Sequence, residues 1–187
     1  HALDGTLENI STLYDAGFRM MSLQHFFDNK LGGSLHGESG AGLTPFGKQA
    51  VDQMVAMGVI IDVSHSSEAV VADVISRTDA PLIVSHTGFY GHCQSPRNIS
   101  DTLMKAIASG GGIIGVGFWD GAVCDASPAG VVAAIRYGID LVGVDHVALG
   151  SDFDGTVETT FDISELAVLT DEMLKAGFTE TEIRKVM

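Results

Sequence analysis

The chain has 187 residues, of which 45% are hydrophobic, and this composition excludes a disordered protein and favours a globular one. Its formal net charge of −14 argues against binding to nucleic acid, because a phosphate backbone attracts basic surfaces. No apolar run reaches the roughly 18 residues needed to cross a bilayer, so no transmembrane segment is predicted in this chain.

The two ends of the chain are uninformative about targeting. The sequence begins at His1 rather than at a methionine and ends at Met187 inside a predicted helix, so both ends are interpreted as truncated. A signal peptide or a lipid anchor would be invisible in such a chain. Cytoplasmic, periplasmic and membrane-anchored locations therefore all stay open, and so does a homodimer.

Helices and strands alternate in the first half of the chain. A helix over residues 5–16, with Asp4 as its N-cap, precedes a strand candidate that ends at His25. A polar, glycine-rich loop over residues 31–42 follows, and its length predicts that it overhangs a functional site. The next elements are a helix that begins at Thr44-Pro45 and ends before Gly58, a strand over 59–65, a helix from Ser66 or Ser67 to about Arg77, and a strand over 81–86.

The second half of the chain repeats this alternation. A loop over 87–99 leads to a helix that is capped by Ser100 or Asp101 and ends at Gly110. The following elements are a strand over 112–118, a helix from Ser127-Pro128 to about Tyr137, a link over 140–143, a strand over 147–152, and a helix over about 163–176. Thr179 and Glu182 then form a capping box for a terminal helix.

Five strands alternating with helices indicate a parallel α/β fold. The strands are apolar on both faces, which is typical of a parallel sheet covered by helices. A complete eight-stranded barrel needs about 250 residues. Residues 1–187 are therefore predicted to be a single domain that holds about five of the eight strand–helix units of a TIM-type (β/α) barrel.

Two of the predicted strands close on a Ser-His pair, which places His65 and His86 at their carboxyl ends. Catalytic residues of α/β barrels gather at this end of the strands. The two histidines stand 21 residues apart, about one strand–helix repeat, so neighbouring strands can bring them together. One such histidine alone favours a hydrogen-bonded core residue, whereas two in equivalent positions favour ligands of zinc or a similar ion.

Three further residues are candidates for the same site. Asp152 ends the run from Val147 and can transfer a proton beside a metal-bound water, although Asp-Phe-Asp-Gly also suits a turn. His25 can be a ligand, an oxyanion donor or a loop histidine, and the sequence alone does not separate these roles. Arg97 lies in a Pro-Arg-Asn loop, where its planar fork suits a substrate carboxylate unless the arginine is structural.

The remaining histidines and the cysteines are not assigned to the site. The histidines without a strand-end position are His1, His36, His92 and His146. Cys93 and Cys124 form neither a disulfide framework nor a zinc-binding spacing, and Cys93 is predicted to be a structural thiol.

Taken in order, the motifs of this chain resemble those of the membrane dipeptidase (renal dipeptidase) family of zinc peptidases. The matching stretches are His25-Phe26-Phe27-Asp28-Asn29, Gly42-Leu43-Thr44-Pro45-Phe46-Gly47, Ile61-Asp62-Val63-Ser64-His65, Val84-Ser85-His86, Ser95-Pro96-Arg97-Asn98-Ile99 and Gly150-Ser151-Asp152-Phe153-Asp154-Gly155. The resemblance covers essentially the whole chain, and the combination of motifs in this order is specific.

This resemblance implies a barrel with two zinc ions that hydrolyses dipeptides by means of a hydroxide bridging the metals. In such a site His65 and His86 bind the second zinc, and His25 polarises the scissile carbonyl. Arg97 binds the free carboxylate of the dipeptide. Asp152 contacts the substrate as well, takes a proton from the bridging water and passes it to the leaving amine.

The chain also departs from the family pattern. The His-x-Asp pair that binds the first zinc in this family, and the glutamate that bridges the two metals, are absent from the 187 residues. The chain is therefore predicted to carry about half of the site, so that the parent protein is an active dipeptidase and this fragment alone is inactive.

Two other functions stay open at this point. One is a different barrel metallohydrolase of the amidohydrolase type, acting on cyclic amides, lactones or phosphoesters; Arg97 separates the two, because a dipeptide needs a carboxylate anchor. The other is a catalytically inactive barrel that acts as a binding module, and this module is expected to bind no zinc.

Overall fold

A computed structural model describes residues 2–187, and His1, which the sequence did not assign to the site, lies outside the described residues. The predicted α/β fold is confirmed: five strands alternate with helices and follow chain order in the sheet. The chain divides into two compact units, one up to Ile83 and one from Val84 onwards.

The first unit contains three helices and the first three strands, of which β3 crosses the unit boundary. Its elements are α1 (Glu8–Asp15), β1 (Met20–Ser22), α2 (Pro45–Ala56), β2 (Ile60–Asp62), α3 (Glu68–Arg77) and the start of β3 (Leu82–Thr87). Strand β2 pairs in parallel with β1 through Met20 and Ile60 and with β3 through Ile61 and Leu82.

Helix starts in the first unit follow the serine and threonine signals of the sequence. The Thr44 hydroxyl accepts a hydrogen bond from Gly47 N at 3.0 Å, and Pro45 takes the first helical position of α2. Of the two serines proposed for α3, Ser67 is the cap. The predicted cap of α1 is wrong, because Asp4 lies outside the helix and Leu7 precedes its first residue.

The second unit contains the end of β3 and the rest of the elements. They are α4 (Asp101–Ser109), β4 (Ile113–Val116), α5 (Asp120–Val123), α6 (Pro128–Val142), a 3-10 turn (Val144–His146), β5 (Val147–Leu149), a second 3-10 turn (Ile163–Glu165), α7 (Ala167–Lys175) and α8 (Glu180–Val186). Strands β4 and β5 pair in parallel.

One helix end and one short helix in the second unit differ from the sequence prediction. Helix α6 does not end near Tyr137 but continues to Val142, because its buried face continues past the predicted end, with Gly138 still buried. The short helix α5 was not predicted, since four residues are too few to show a periodic pattern. The capping box of α8 is confirmed, with Thr179 accepting from Glu182 N at 3.2 Å.

Two glycines allow the backbone of β4 and of the segment after β5 to pack closely against Ser85 of β3. A Cβ atom on Gly115 of β4 would lie 2.3 Å from the carbonyl oxygen of Ser85, and one on Gly150, just after β5, would lie 2.4 Å from the same atom. Real Cβ contacts are never this short, so only glycine permits the packing. These two positions define how closely the backbone approaches the residue before His86.

Among the helices of residues 2–187, none combines the length and the apolar character required to span a bilayer.

Candidate active site

In the first unit, His65 stands on a tight turn that directly follows strand β2. Asp62, which is 2% exposed, accepts hydrogen bonds from Ser64 N at 3.0 Å and from the Ser22 hydroxyl at 2.7 Å. His65 has a φ of +63°, a left-handed conformation that is uncommon for a residue with a side chain. The buried carboxylate therefore anchors a turn that sets the direction of the His65 side chain.

The glycine-rich loop is fastened to the two histidine turns of the first unit. The Ser34 hydroxyl donates to the carbonyl oxygen of His25 and lies 3.2 Å from that of His65. Leu35 N donates to the same His65 carbonyl at 2.7 Å. These contacts hold the backbone of the loop against both candidate site residues.

Three histidines and one phenylalanine form an aromatic cluster in the first unit. The ring centroids of His25 and His65 lie 4.7 Å apart, and those of His36 and His65 lie 5.4 Å apart. Phe26 contacts all three histidine rings at 4.6 to 5.4 Å. The structure thus brings His25 and His65 together, and it adds His36, which the sequence analysis left unassigned because it lacks a strand-end position.

An aspartate stabilises the same loop electrostatically. Asp28 accepts hydrogen bonds from Ser34 N at 2.7 Å and from Ser39 N at 3.0 Å. These two backbone donors are the main reason why the pKa of Asp28 is lowered from its ordinary value. The loop that carries His36 is therefore held best when this carboxyl group is ionised.

In the second unit, His86 and Asp152 face each other. The Nδ1 atom of His86 lies 2.8 Å from the Ser85 hydroxyl, and its Nε2 atom lies 4.0 Å from Oδ1 of Asp152. The two side chains are 20% and 16% exposed, so both are partly accessible to solvent. The contact with Ser85 occupies Nδ1 and makes Nε2 the nitrogen suited to a metal.

The turn that begins at Asp152 is closed by a main-chain hydrogen bond and not by the Asp152 side chain. Gly155 N donates to the Asp152 carbonyl oxygen at 2.9 Å, and Asp152 has a φ of +59°. A Cβ atom on Gly155 would lie 2.2 Å from Oδ1 of Asp152. Glycine at this position therefore leaves the carboxylate room to face His86.

Arg97 is 7% exposed and is held by atoms close to His86. Its guanidinium donates to the Thr87 hydroxyl at 3.0 Å and to the His86 carbonyl oxygen at 2.9 Å. It also lies 5.4 Å from the ring centroid of Trp119, a distance at which a cation and an aromatic face attract each other. The loop arginine is thus oriented relative to the His86 strand end.

Trp119 is a member of this group that the sequence analysis missed. Its ring centroid lies 6.3 Å from that of His86, and the residue forms the N-cap of the unpredicted helix α5. The sequence contained a usable signal for it, because Trp119 comes directly after the apolar run that is predicted as a strand over 112–118.

The two cysteines form a disulfide, so the prediction of a structural thiol at Cys93 is wrong. Cys93 and Cys124 are bonded across a separation of 31 residues, with Cα atoms 5.5 Å apart. Asn98 strengthens this link, since its Nδ2 group donates to Cys93 O at 2.9 Å and to Ala122 O at 2.8 Å. The Arg97 loop is thereby attached to the segment that contains α5.

The metal-binding potential of the described part of the chain follows from its donor types. Neutral imidazole nitrogens and a carboxylate are ligands that zinc and similar ions accept. Within residues 2–187, however, no group of three or more His, Cys, Asp or Glu side chains is arranged to hold a metal ion. The side chains fit a metal in kind, while a full ligand set requires further donors.

Comparison with known proteins identifies the family. A family model described as membrane dipeptidase (peptidase family M19) matches residues 1–187. A curated relative, an uncharacterised Klebsiella pneumoniae protein in the pqqA 5′ region, is 30% identical over 199 residues, which cover 98% of this chain and 73% of that protein.

Solved structures agree with this match. The dipeptidase AC, a metallopeptidase of family M19, is 26% identical with a TM-score of 0.89, over 97% of this chain and 57% of that one. A Rhodobacter sphaeroides metallopeptidase, solved with a phosphinate mimic of the dipeptide L-Ala-D-Ala, is 26% identical with a TM-score of 0.85, over 97% and 56%. The chain spans little more than half of these solved relatives. Because the family model matches along its whole length, the chain belongs to the membrane dipeptidase family, peptidase family M19.

Proposed function

We propose that this chain supplies part of the active site of a zinc-dependent dipeptidase, with His65 and His86 as zinc ligands. Membership of a metallopeptidase family supports the reaction class. The observation that carries the proposal is the arrangement in the second unit, where Asp152 faces Nε2 of His86 and Arg97 is held by the His86 carbonyl. A proton acceptor, a metal ligand and a carboxylate anchor therefore lie within one group of side chains.

The role of each group follows from the chemistry of peptide hydrolysis. Bound divalent cations lower the pKa of water and polarise the scissile carbonyl. Asp152 would accept the proton of the attacking water, since its Oδ1 atom lies 4.0 Å from Nε2 of His86, the nitrogen that would bind the metal. The same carboxyl group then protonates the amine as it leaves, which restores the starting charge.

Arg97 and His25 bind the substrate in this proposal. A guanidinium group pairs with a carboxylate through two parallel hydrogen bonds, and burial of Arg97 strengthens such a pair. The anchor selects dipeptides, because in a longer peptide the carboxylate is replaced by a further amide. His25, which contacts the His65 ring, donates a hydrogen bond to the carbonyl oxygen as negative charge develops there.

The 187 residues alone are expected to be inactive. They contain no His-x-Asp pair for a first metal, and the described residues offer no preassembled group of three metal-binding side chains. Without two cations, both water activation and carbonyl polarisation are weakened.

Zinc content and hydrolysis together test the proposal. The 187-residue chain and a version extended upstream through the family's His-x-Asp strand are analysed for zinc and assayed with L-Ala-D-Ala. Two zinc ions and turnover in the extended protein, with fewer than one zinc ion and no turnover in the short chain, are the expected results. An extended protein without zinc would instead be an inactive binding module.

Arg97 variants then separate a dipeptidase from another metallohydrolase. Arg97→Ala in the extended protein is expected to raise the KM for the dipeptide by about 10- to 100-fold, because a charged hydrogen bond is lost. Arg97→Lys keeps the charge without the planar fork and is expected to lie in between. The dipeptide amide, which lacks the carboxylate, is the matched substrate control. Equal dipeptide kinetics in wild type and Arg97→Ala would contradict the assignment and favour cyclic amides, lactones or phosphoesters as substrates.

A further inference from the structure

The glycine-rich loop places a histidine ring against His65. The ring centroids of Phe26 and His36 lie 4.8 Å apart, and each of these rings lies 5.4 Å from the ring of His65. We name these three side chains the aromatic wall. Two of its members, Phe26 and His36, are exposed, whereas His65 is 6% exposed. The rings of Phe26 and His36 therefore cover one side of the buried His65 imidazole.

His36 is carried by backbone that is fastened to the His65 turn. His36 N donates to the Ser34 hydroxyl at 3.1 Å, and Leu35 N donates to the His65 carbonyl oxygen at 2.7 Å. Ser34 also pairs with Ser66 in an isolated bridge. The ring of His36 is thus connected to the turn of His65 through three consecutive loop residues, so the two rings are held in register.

The orientation of the His65 ring matters because a metal binds along the direction of a nitrogen lone pair. Rotation of an imidazole about its last side-chain torsion is broad and has no sharp intrinsic minimum. Packing against neighbouring rings restricts this rotation, and ligand orientation by surrounding groups commonly changes metal affinity by about 10- to 100-fold.

We propose that His36 is a positioning residue for His65, which it holds through ring packing together with Phe26 so that its imidazole presents one orientation to a metal. The proposal rests on the proposed function, in which His65 is a zinc ligand. Independently of any metal, the ring of His65 is expected to lose its preferred orientation when the ring of His36 is removed.

The first experiment observes the His65 ring directly in metal-free, extended protein with selectively ¹³C-labelled histidine, at a single pH. The His65 signals are identified by their absence in His65→Gln. His36→Ala is expected to shift and broaden them, whereas His36→Phe, which keeps an aromatic ring, is expected to restore a sharp signal. Glu38→Ala, an exposed substitution on the same loop, is the control and is expected to change nothing. Unchanged His65 signals in His36→Ala would overturn the proposal.

The second experiment measures zinc affinity by competition with a chromophoric chelator. His36→Ala is expected to weaken zinc binding by about 10-fold, the lower end of the range for a group that orients a ligand, and His36→Phe is expected to recover most of the loss. If His36→Phe is as weak as His36→Ala, the imidazole itself binds the metal and the positioning role is wrong. If the wild-type protein binds no zinc, the proposed function fails, and the spectra of His65 alone decide the role of His36.

Discussion

Removal of the Cys93–Cys124 disulfide is the perturbation whose magnitude the structure determines most directly. The bond closes a loop of 31 residues in the unfolded chain. Closure of that loop lowers the entropy of the unfolded state by roughly 12 cal/mol/K, which corresponds to about 4 kcal/mol of stability at 25 °C. A typical domain is stable by only about 5–15 kcal/mol, so this is a large fraction of the total.

The assay compares urea unfolding of the wild type with that of the double variant Cys93→Ala/Cys124→Ala. Alanine is preferred to serine because Cys93 is 1% exposed and a hydroxyl there would be buried. The variant is expected to lose about 4 kcal/mol. Reduction of the wild type with dithiothreitol is expected to produce a similar loss, while the reductant leaves the double variant unchanged.

Two results would refute this reasoning. The first is a thiol assay of unreduced, unfolded protein that finds both cysteines free. The second is a loss below about 1 kcal/mol in the double variant, which would mean that the unfolded chain already holds the two segments together. Because Asn98 bonds both segments independently, the fold of the second unit is expected to survive in the variant.

Three further predictions concern other contacts. Gly155→Ala is expected to lower turnover of the extended protein by at least about 10-fold, because the new Cβ atom would displace the carboxylate of Asp152. Its zinc content is expected to change little. Unchanged turnover would show that the Asp152 carboxylate tolerates the added methyl group. The lowered pKa of Asp28 predicts stability that is present above its unfolded pKa of about 4 and lost as the pH falls through the folded value; thermal melts from about pH 6 to pH 2 should show a flatter acid dependence in Asp28→Asn. The hydrogen bond to Asp101 raises the pKa of Tyr137 to about 12, so its stabilisation is present below its unfolded pKa of about 10 and is lost as the pH rises towards the folded value; alkaline melts of Tyr137→Phe should lack this loss.

Local signals in the sequence were enough for most helix starts. Thr44-Pro45 and Ser127-Pro128 predict the first residues of α2 and α6, because a hydroxyl that accepts an early backbone N–H and a proline with a preset φ act within a single turn. The same holds for the capping box of α8. These cap hydrogen bonds join residues three positions apart, so they can be predicted without knowledge of the fold.

The sequence predicted where the strands lie, but not the residues at which they end. The run over 59–65 forms strand β2 only from Ile60 to Asp62, because Ser64 N donates to the buried carboxylate of Asp62 and not to a neighbouring strand. An apolar, β-branched run shows that a strand is present, whereas the residue at which it stops depends on a partner from another strand, here Ser22.

The sequence by itself determined the alternation of strands and helices, the family, and the candidate residues His25, His65, His86, Arg97 and Asp152, because periodicity and short motifs are properties of neighbouring residues. Only the tertiary structure decided that Cys93 is bonded to Cys124 and that His36 lies against His65. Their partners are 31 and 29 residues away along the chain, and no local pattern encodes a contact over that distance. It arises when strand ends and their loops are brought together by the packing of the core.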